Sequence, residues 1–246
     1  MSIHLLERDS FNISSSVTDA SCFNSCNGQI SVQLLNPNNP PFIYDWSNGD
    51  SLNIVTDLCS DSISLELIDN GGCRDTFYFY VDEPNILSFD SMIVTHNLCY
   101  GDQDGQILVN VIGGTGTVIT TWTGVNNFSS SDEDIGNLLS GTYSLHLEDQ
   151  NLCVKDTIIT ITEPDSLIAV HSVQNASCFG YADGIIDDTI QGGVLPYNIS
   201  WDIVISDSTN IDSLLSGEYI YYITDSNGCS LLDTAIIDQP DLLVIS

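Results

Sequence analysis

Cys99-Tyr100-Gly101-Asp102-Gln103-Asp104-Gly105-Gln106-Ile107-Leu108-Val109-Asn110-Val111 is a cysteine-opened, Gly- and Asp-rich turn followed from Gly105 by residues that alternate with period two. Such alternation marks a half-buried β-strand. The same arrangement opens at Cys22 with Gly28 and at Cys178 with Gly184, so that Cys99 follows Cys22 by 77 residues and Cys178 follows Cys99 by 79. Further landmarks keep the same order three times: Trp46, Trp122 and Trp201, then Cys73, Cys153 and Cys229, then Glu83-Pro84, Glu163-Pro164 and Gln239-Pro240. An internal period of this length is the signature of a repeat architecture.

The units run over residues 8–84, 85–164 and 165–240, with each proline as punctuation. Residues 241–246 resemble Asp165 to Val170 and read as the first strand of a truncated fourth repeat. A second alternating run, Thr142 to Glu148, and turns rich in Gly, Asn, Asp and Pro continue the strand pattern, and no stretch carries a capped helical stripe. The expected fold is all-β: three tandem Ig-like antiparallel β-sandwich repeats, each with a disulfide and six or seven short strands.

Composition narrows the function. The 246 residues hold 34 Asp and Glu against three Lys and Arg, a formal net charge of -31. That surface repels nucleic-acid phosphates and anionic headgroups, so nucleic acid and direct membrane insertion are excluded as partners. Met1 to Ser10 has no apolar signal core, which fits a cloned fragment. Eight cysteines without a metal-type CxxC pair indicate disulfides and a compartment outside the reducing cytosol.

Spacing suggests the bridges Cys22–Cys73, Cys99–Cys153 and Cys178–Cys229, each closing one repeat over a loop worth about 4 kcal/mol on the chain-entropy estimate. Cys26 and Cys59, confined to repeat one, form a fourth bridge; the alternative is a pair of free thiols. The tryptophan of each repeat is expected to pack in the core against the disulfide.

Cys-x-Gly-x-x-Asp-Gly-x-Ile at Cys99–Ile107 and Cys178–Ile186, Gly-Gly-x-x-Pro-Tyr-x-x-x-Trp at Gly192–Trp201, Leu-Leu-Ser-Gly-x-Tyr at Leu138–Tyr143 and Leu214–Tyr219, and Asp-x-Asn-Gly-Cys before Cys229 together resemble the SprB-type repeats of flavobacterial gliding and cell-surface adhesins. Repeat one departs most, with Asn27, Pro40-Pro41-Phe42 and Asp61 at motif positions. The resemblance implies a secreted, extracellular filament, tethered to the outer membrane through other parts of a parent chain, exported by type IX secretion and moved in gliding. The acceptor pattern for O-glycosylation in that phylum is similar to the sequence around Ser51, Ser62, Ser91, Thr157, Ser166, Thr189, Ser213 and Thr234.

Catalysis has no foothold: His4, His96, His146 and His171 do not recur at equivalent positions, and no nucleophile–base pair is apparent. No cofactor is required. Calcium is the one ion the sequence suggests, through Asp102, Asp104 and Asp183 in the Asp-Gly turns, Asp149 and Asp225 before the closing cysteines, and the loop Asp132-Glu133-Asp134, although no EF-hand spacing is present. Two roles follow: a stalk whose partners are neighbouring repeats of the same chain, or modules gripping extracellular polysaccharide multivalently. Tyr78, Tyr80, Phe77, Tyr221 and Tyr222 do not recur in repeat two, which favours the stalk.

Overall fold

A computed structural model of the chain describes residues 11–35, 37–202 and 208–244. Arg8, His4 and the end of the fourth-repeat segment lie outside them. Repeat one contributes β1 (Ile13–Thr18), β2 (Gly28–Leu34), β3 (Ile43–Trp46), β4 (Ile54–Leu58), β5 (Asp61–Ile68) and β6 (Arg74–Val81). Repeat two contributes β7 (Ser88–Thr95), β8 (Gly105–Ile112), β9 (Ile119–Thr123), β10 (Ser129–Ser130), β11 (Ile135–Leu138), β12 (Gly141–Glu148) and β13 (Val154–Ile161). Repeat three contributes β14 (Ile168–Gln174), β15 (Gly184–Gln191), β16 (Asn198–Trp201), β17 (Asn210–Leu214), β18 (Gly217–Thr224) and β19 (Ser230–Ile237). The only helix among the described residues is a three-residue turn, Val125–Asn127.

In repeat one the sheets run β1-β2-β4 and β3-β5-β6, and in repeat three β14-β15-β17 and β16-β18-β19. In repeat two they run β11-β8-β7 and β10-β9-β12-β13. In repeats one and three the pairings are antiparallel, as in Ile43↔Ile68 and Asn198↔Thr224. The fold is therefore the all-β Ig-like sandwich expected. The described residues pack as two compact units, one within residues 1–91, 110–121 and 145–157, the other within 92–109, 122–144 and 158–246.

Alternation places the apolar residues inward. In repeat one Ile30, Val32, Trp46, Val55, Leu65, Leu67 and Val81 form one buried cluster. In repeat three Ile186, Ile199, Trp201, Ile211, Tyr221, Ile223 and Ile237 form another. The tryptophans pack against rings, Trp46 on Phe79 and Trp201 on Tyr221. Each indole N–H donates to a loop carbonyl: Leu52 for Trp46, Asp132 for Trp122 and Ser208 for Trp201. Neither cluster contains a cysteine, which corrects, for Trp46 and Trp201, the expectation that the tryptophan packs on a disulfide.

Two motifs acquire a physical reason here. The tyrosine of Leu-Leu-Ser-Gly-x-Tyr returns its hydroxyl to the carbonyl four residues earlier, Tyr143 to Leu139 at 3.0 Å and Tyr219 to Leu215 at 2.9 Å. This is the corner lock of Ig-type sandwiches. Repeat one has Ile63 at that place and instead carries the Cys26–Cys59 bridge. The Asp-Gly glycine is needed for close packing: a Cβ at Gly184 would lie 3.0 Å from the Leu214 carbonyl oxygen and 2.7 Å from Ile237. Gly184→Ala is expected to cost about 1–3 kcal/mol by overpacking, seen as a lowered melting temperature in calorimetry.

Repeat three also holds a polar pair in its core. Asp188 occupies the place of Val32 and Val109, and Tyr221 that of Leu65 and Leu145. The Tyr221 hydroxyl lies 3.0 Å from Asp188 Oδ1 and 3.1 Å from Asp233 Oδ2, while His171 Nδ1 is 4.0 and 3.8 Å from the same two oxygens. Burial pushes the Asp188 carboxyl above its ordinary range, and the bond from Tyr221 and the nearby His171 offset this only in part. Burial and the two carboxylates also raise the tyrosine, which keeps its proton and donates it. The raised Asp188 carboxyl therefore makes its own contribution to stability in full below the ordinary carboxylate range, and that contribution is lost as pH rises through the folded-state value. Asp188→Asn is expected to flatten this decline and raise the melting temperature at pH 7, in thermal melts taken from pH 3 to pH 8.

Candidate functional site: the disulfide joints

The cysteines do not close the repeats on themselves. Cys22 bonds Cys153, with Cα atoms 5.7 Å apart, and Cys99 bonds Cys229 at 5.6 Å. Cys26 and Cys59 bond each other as expected, whereas Cys73 and Cys178 are free and exposed. The expected pairs Cys22–Cys73, Cys99–Cys153 and Cys178–Cys229 are thus corrected: each opening cysteine takes the closing cysteine of the next repeat.

Strand direction explains why. In repeat one Gly28 pairs with Leu58, and the space beside Gly28 is filled by Val81 at the end of β6. The opening turn therefore sits at the end of the sandwich where β6 finishes. Cys73 immediately precedes Arg74, where β6 begins, paired with Ile68. Eight residues of strand separate the two turns, roughly 25 Å, while a disulfide needs Cα atoms within about 7 Å.

Both joints are assembled from the same parts. The opening turn is held first by the residue before its glycine: Ser21 N–H donates to Asn27 Oδ1 at 2.9 Å, Leu98 N–H to Asp104 at 3.2 Å, and Ser177 N–H to Asp183 Oδ1 at 2.9 Å. It is held again by the residue before the linker proline, as Asn24 N–H donates to Glu83 at 2.6 Å, Gly101 N–H to Glu163 at 2.7 Å and Gly180 N–H to Gln239 at 2.8 Å. A residue at positive φ shapes the turn, Gly101 at 77°, Gly180 at 74° and, in repeat one, Asn24 at 57°. Glycine and asparagine are the residues that tolerate this region.

The closing turn is organised by an aspartate four residues before the cysteine. Asp149 Oδ1 accepts the N–H groups of Asn151 and Cys153 at 2.8 and 2.9 Å, and its Oδ2 accepts Thr115 N–H at 2.7 Å. Asp225 does the same with Asn227, Cys229 and Val194. Burial alone would raise the Asp225 carboxyl, but bonds donated by Val194, Cys229, Asn227 and Gly228 outweigh it and hold the group below its ordinary value. Across each joint the side-chain amide of Asn151 donates to the Ser21 carbonyl, and that of Asn227 to the Leu98 carbonyl, both at 2.9 Å.

Beside each bridge lies an open cleft. One of about 400 Å³ is lined by Cys22, Phe23, Pro84, Leu87 and Leu152, and its counterpart of about 470 Å³ by Cys99, Tyr100, Pro164, Leu167 and Leu231.

These contacts give the expected calcium ligands another task. Asp104, Asp149, Asp183 and Asp225 accept main-chain N–H groups, and Asp134 accepts Val109 N–H at 2.9 Å. Asp102 offers its carbonyl to Asn97. No group of three or more His, Cys, Asp or Glu among the described residues is placed to hold a metal ion. Of the glycosylation candidates, Ser51, Ser62, Ser91, Ser166, Thr189 and Ser213 are exposed, and Thr157 and Thr234 are half-buried. Of the joint-crossing partners, Asn227 stands in the Asp-x-Asn-Gly-Cys motif without a role read for it, and Asn151 was not singled out from the sequence; the signal was their shared place two residues before a closing cysteine.

Comparison with known proteins adds the following. The family model for the SprB repeat matches residues 14–51 and 170–203, so the SprB-type resemblance is shown at two segments. No curated protein matches the chain. Among solved structures, the N-terminal eight Ig domains of Down Syndrome Cell Adhesion Molecule are 10% identical at a TM-score of 0.46, covering 92% of this chain and 36% of that one. The mouse nectin-like molecule 4 ectodomain (Ig1–Ig3) is 10% identical at a TM-score of 0.37, covering 95% and 96%. The chain thus spans little over a third of the first of these.

Peptide mapping of the unreduced protein should recover Cys22 linked to Cys153 and Cys99 linked to Cys229, with two thiols open to alkylation. Recovery of Cys22 linked to Cys73 would refute the joint geometry.

Proposed function

We propose that this chain is a load-bearing segment of a secreted cell-surface adhesin, in which SprB-type repeats form a stalk and the bridges between repeats carry tension. The single observation behind this reading is that the opening turn of one repeat is tied covalently to the closing turn of the next, in the same way at both joints. A freely acting binding module has no need of such a tie. A stalk does, because a linker alone lets successive repeats bend and twist and loads one strand of backbone.

The two loops also interlock in sequence, since Cys99 lies within the 131-residue span closed by Cys22 and Cys153. Each closure constrains the unfolded chain by about 5 kcal/mol on the chain-entropy estimate, and the overlap makes the two non-additive. Structural, non-enzymatic use fits the family. Among the described residues no helix is long and apolar enough to cross a membrane. Tethering to an outer membrane, type IX export and a part in gliding belong to this proposal through the SprB resemblance.

The clefts beside the bridges favour a second reading. Each presents an aromatic residue, Phe23 or Tyr100, beside a linker proline, and a recurring shallow cleft of this kind suits weak multivalent contact with a polysaccharide.

Stretching single molecules from their termini separates the two. If the joints bear load, the oxidised chain unfolded under force extends to well under half the length of the reduced chain, because the bridges short-circuit most of the backbone. Equal extension in both states would overturn the stalk reading. Retention of the chain on an insoluble polysaccharide, lost on Tyr100→Ala, would establish the second.

A further inference from the structure

We infer that the two bridges set the three repeats in parallel under load, so that tension drawing one joint away from the other must open all three sandwiches together. The inference deepens the stalk reading and rests on it for the direction of the load.

The arrangement follows from the pairing. Cys22 with Cys153 makes the first joint a single covalent node, and Cys99 with Cys229 makes the second another. Three lengths of backbone run between these nodes: Cys22 to Cys99 over 77 residues, Cys99 to Cys153 over 54, and Cys153 to Cys229 over 76. Without the bridges the same lengths follow one another in series. Each contains the body of a different repeat, β2 to β6 in the first, β8 to β12 in the second and β15 to β18 in the third.

Little slack delays the sharing of load. The first length arrives at the second joint through β7, and the third leaves the first joint through β13. Both are strands, already extended to about 3.3 Å per residue. Neither length can grow further without pulling a linker proline away from the joint it lines. Pro84 lines the cleft beside Cys22 and Cys153, and Pro164 the cleft beside Cys99 and Cys229.

That separation is resisted from within repeats one and three. In repeat one it breaks the bonds from Ala20 N–H to the Asp82 carbonyl at 2.9 Å and from Asn24 N–H to Glu83 at 2.6 Å. In repeat three the linker is tied to the closing turn by two successive bonds, Gly193 N–H to the Asp165 carbonyl at 2.9 Å and Val194 N–H to Asp225 Oδ2 at 2.8 Å. Compactness follows the joints in the same way: each compact unit holds one joint whole, and repeat two is the repeat divided between them.

Single molecules pulled from joint to joint test this. Handles are attached through azide-bearing phenylalanines placed at Leu152 and Tyr100, both exposed, so the backbone directly between the handles lies in repeat two in every sample. In the oxidised chain repeat two opens only together with repeats one and three, and the rupture force is highest. With Cys22→Ser and Cys153→Ser only the third length is left beside it, and the force falls. After reduction repeat two opens alone, and the force falls again. The final length is the same in all three samples, about 180 Å, because the residues between the handles set it. The companion pair Cys99→Ser and Cys229→Ser, which keeps the first length instead, gives the same intermediate force and replaces the other pair if that variant does not fold.

One rupture force across the samples would overturn the parallel arrangement. Peptide mapping of the oxidised sample then separates the causes. With Cys22–Cys153 and Cys99–Cys229 both recovered, the arrangement fails and the clasp reading stands; with either missing, the clasp reading fails as well.

Discussion

Antiparallel strand direction places the opening and closing turns of a repeat at opposite ends of its sandwich, and the cysteine chemistry follows from that. A disulfide spans only about 7 Å between Cα atoms, so a cysteine at either end can pair only with something that meets that end. The turn reached by Cys22 belongs to repeat two, and the turn reached by Cys99 to repeat three. Had β3 and β4 run in opposite directions, the closing turn would have returned to the opening end and each repeat could have sealed itself. They run the same way because the loop between Trp46 and Ile54 folds back: β3 pairs with β5 through Ile43↔Ile68, and β4 pairs with β2 through Gly28↔Leu58.

The acidity of the chain reads differently once the turns are seen. Arg74 pairs with Glu66 at 2.6 Å and Lys155 lies over the Phe89 ring, so cations cannot balance the carboxylates. Many carboxylates instead bind main-chain N–H groups that would otherwise lack a partner: Asp69, Asp149 and Asp225 in the closing turns, Asp104 and Asp183 in the opening turns, Glu83 and Glu163 at the linkers. Bonds of this kind to a charged acceptor are stronger than those between neutral groups. Gln239, neutral, fills the linker role in repeat three, which shows that the requirement there is an acceptor and not a charge.

The fold class, the strand pattern and the repeat were legible because each depends on local alternation and on landmarks that recur at fixed spacing. The pairing of the cysteines was not, because it depends on which end of a sandwich each turn occupies, and alternation in sequence carries no record of a loop that folds back. The Cys26–Cys59 bridge was legible by a different logic: both residues depart from the other repeats at once, and a coordinated departure points to contact. The same logic applied to Asp188 and Tyr221, which replace Val or Leu of the other repeats together, would have found the polar pair in the third core.

Those coordinated departures show how a repeated sandwich tolerates variation. A corner must be fixed where the chain crosses from β4 to β5; repeats two and three fix it with a tyrosine hydroxyl on a carbonyl, and repeat one, with Ile63 there, has a disulfide from Cys59, the residue at the place of the accepting Leu139 and Leu215. The core of repeat three takes a carboxyl whose Oδ1 accepts from Tyr221 while its Oδ2 is buried without a partner, and a buried polar group without a partner is costly. The joint is held more uniformly than either, with one anchoring aspartate, one linker acceptor and one positive-φ residue recurring wherever an opening or closing cysteine stands. Variation concentrated within the sandwiches, beside constancy at the joints, is the pattern expected when the connection between repeats is what the sequence must preserve.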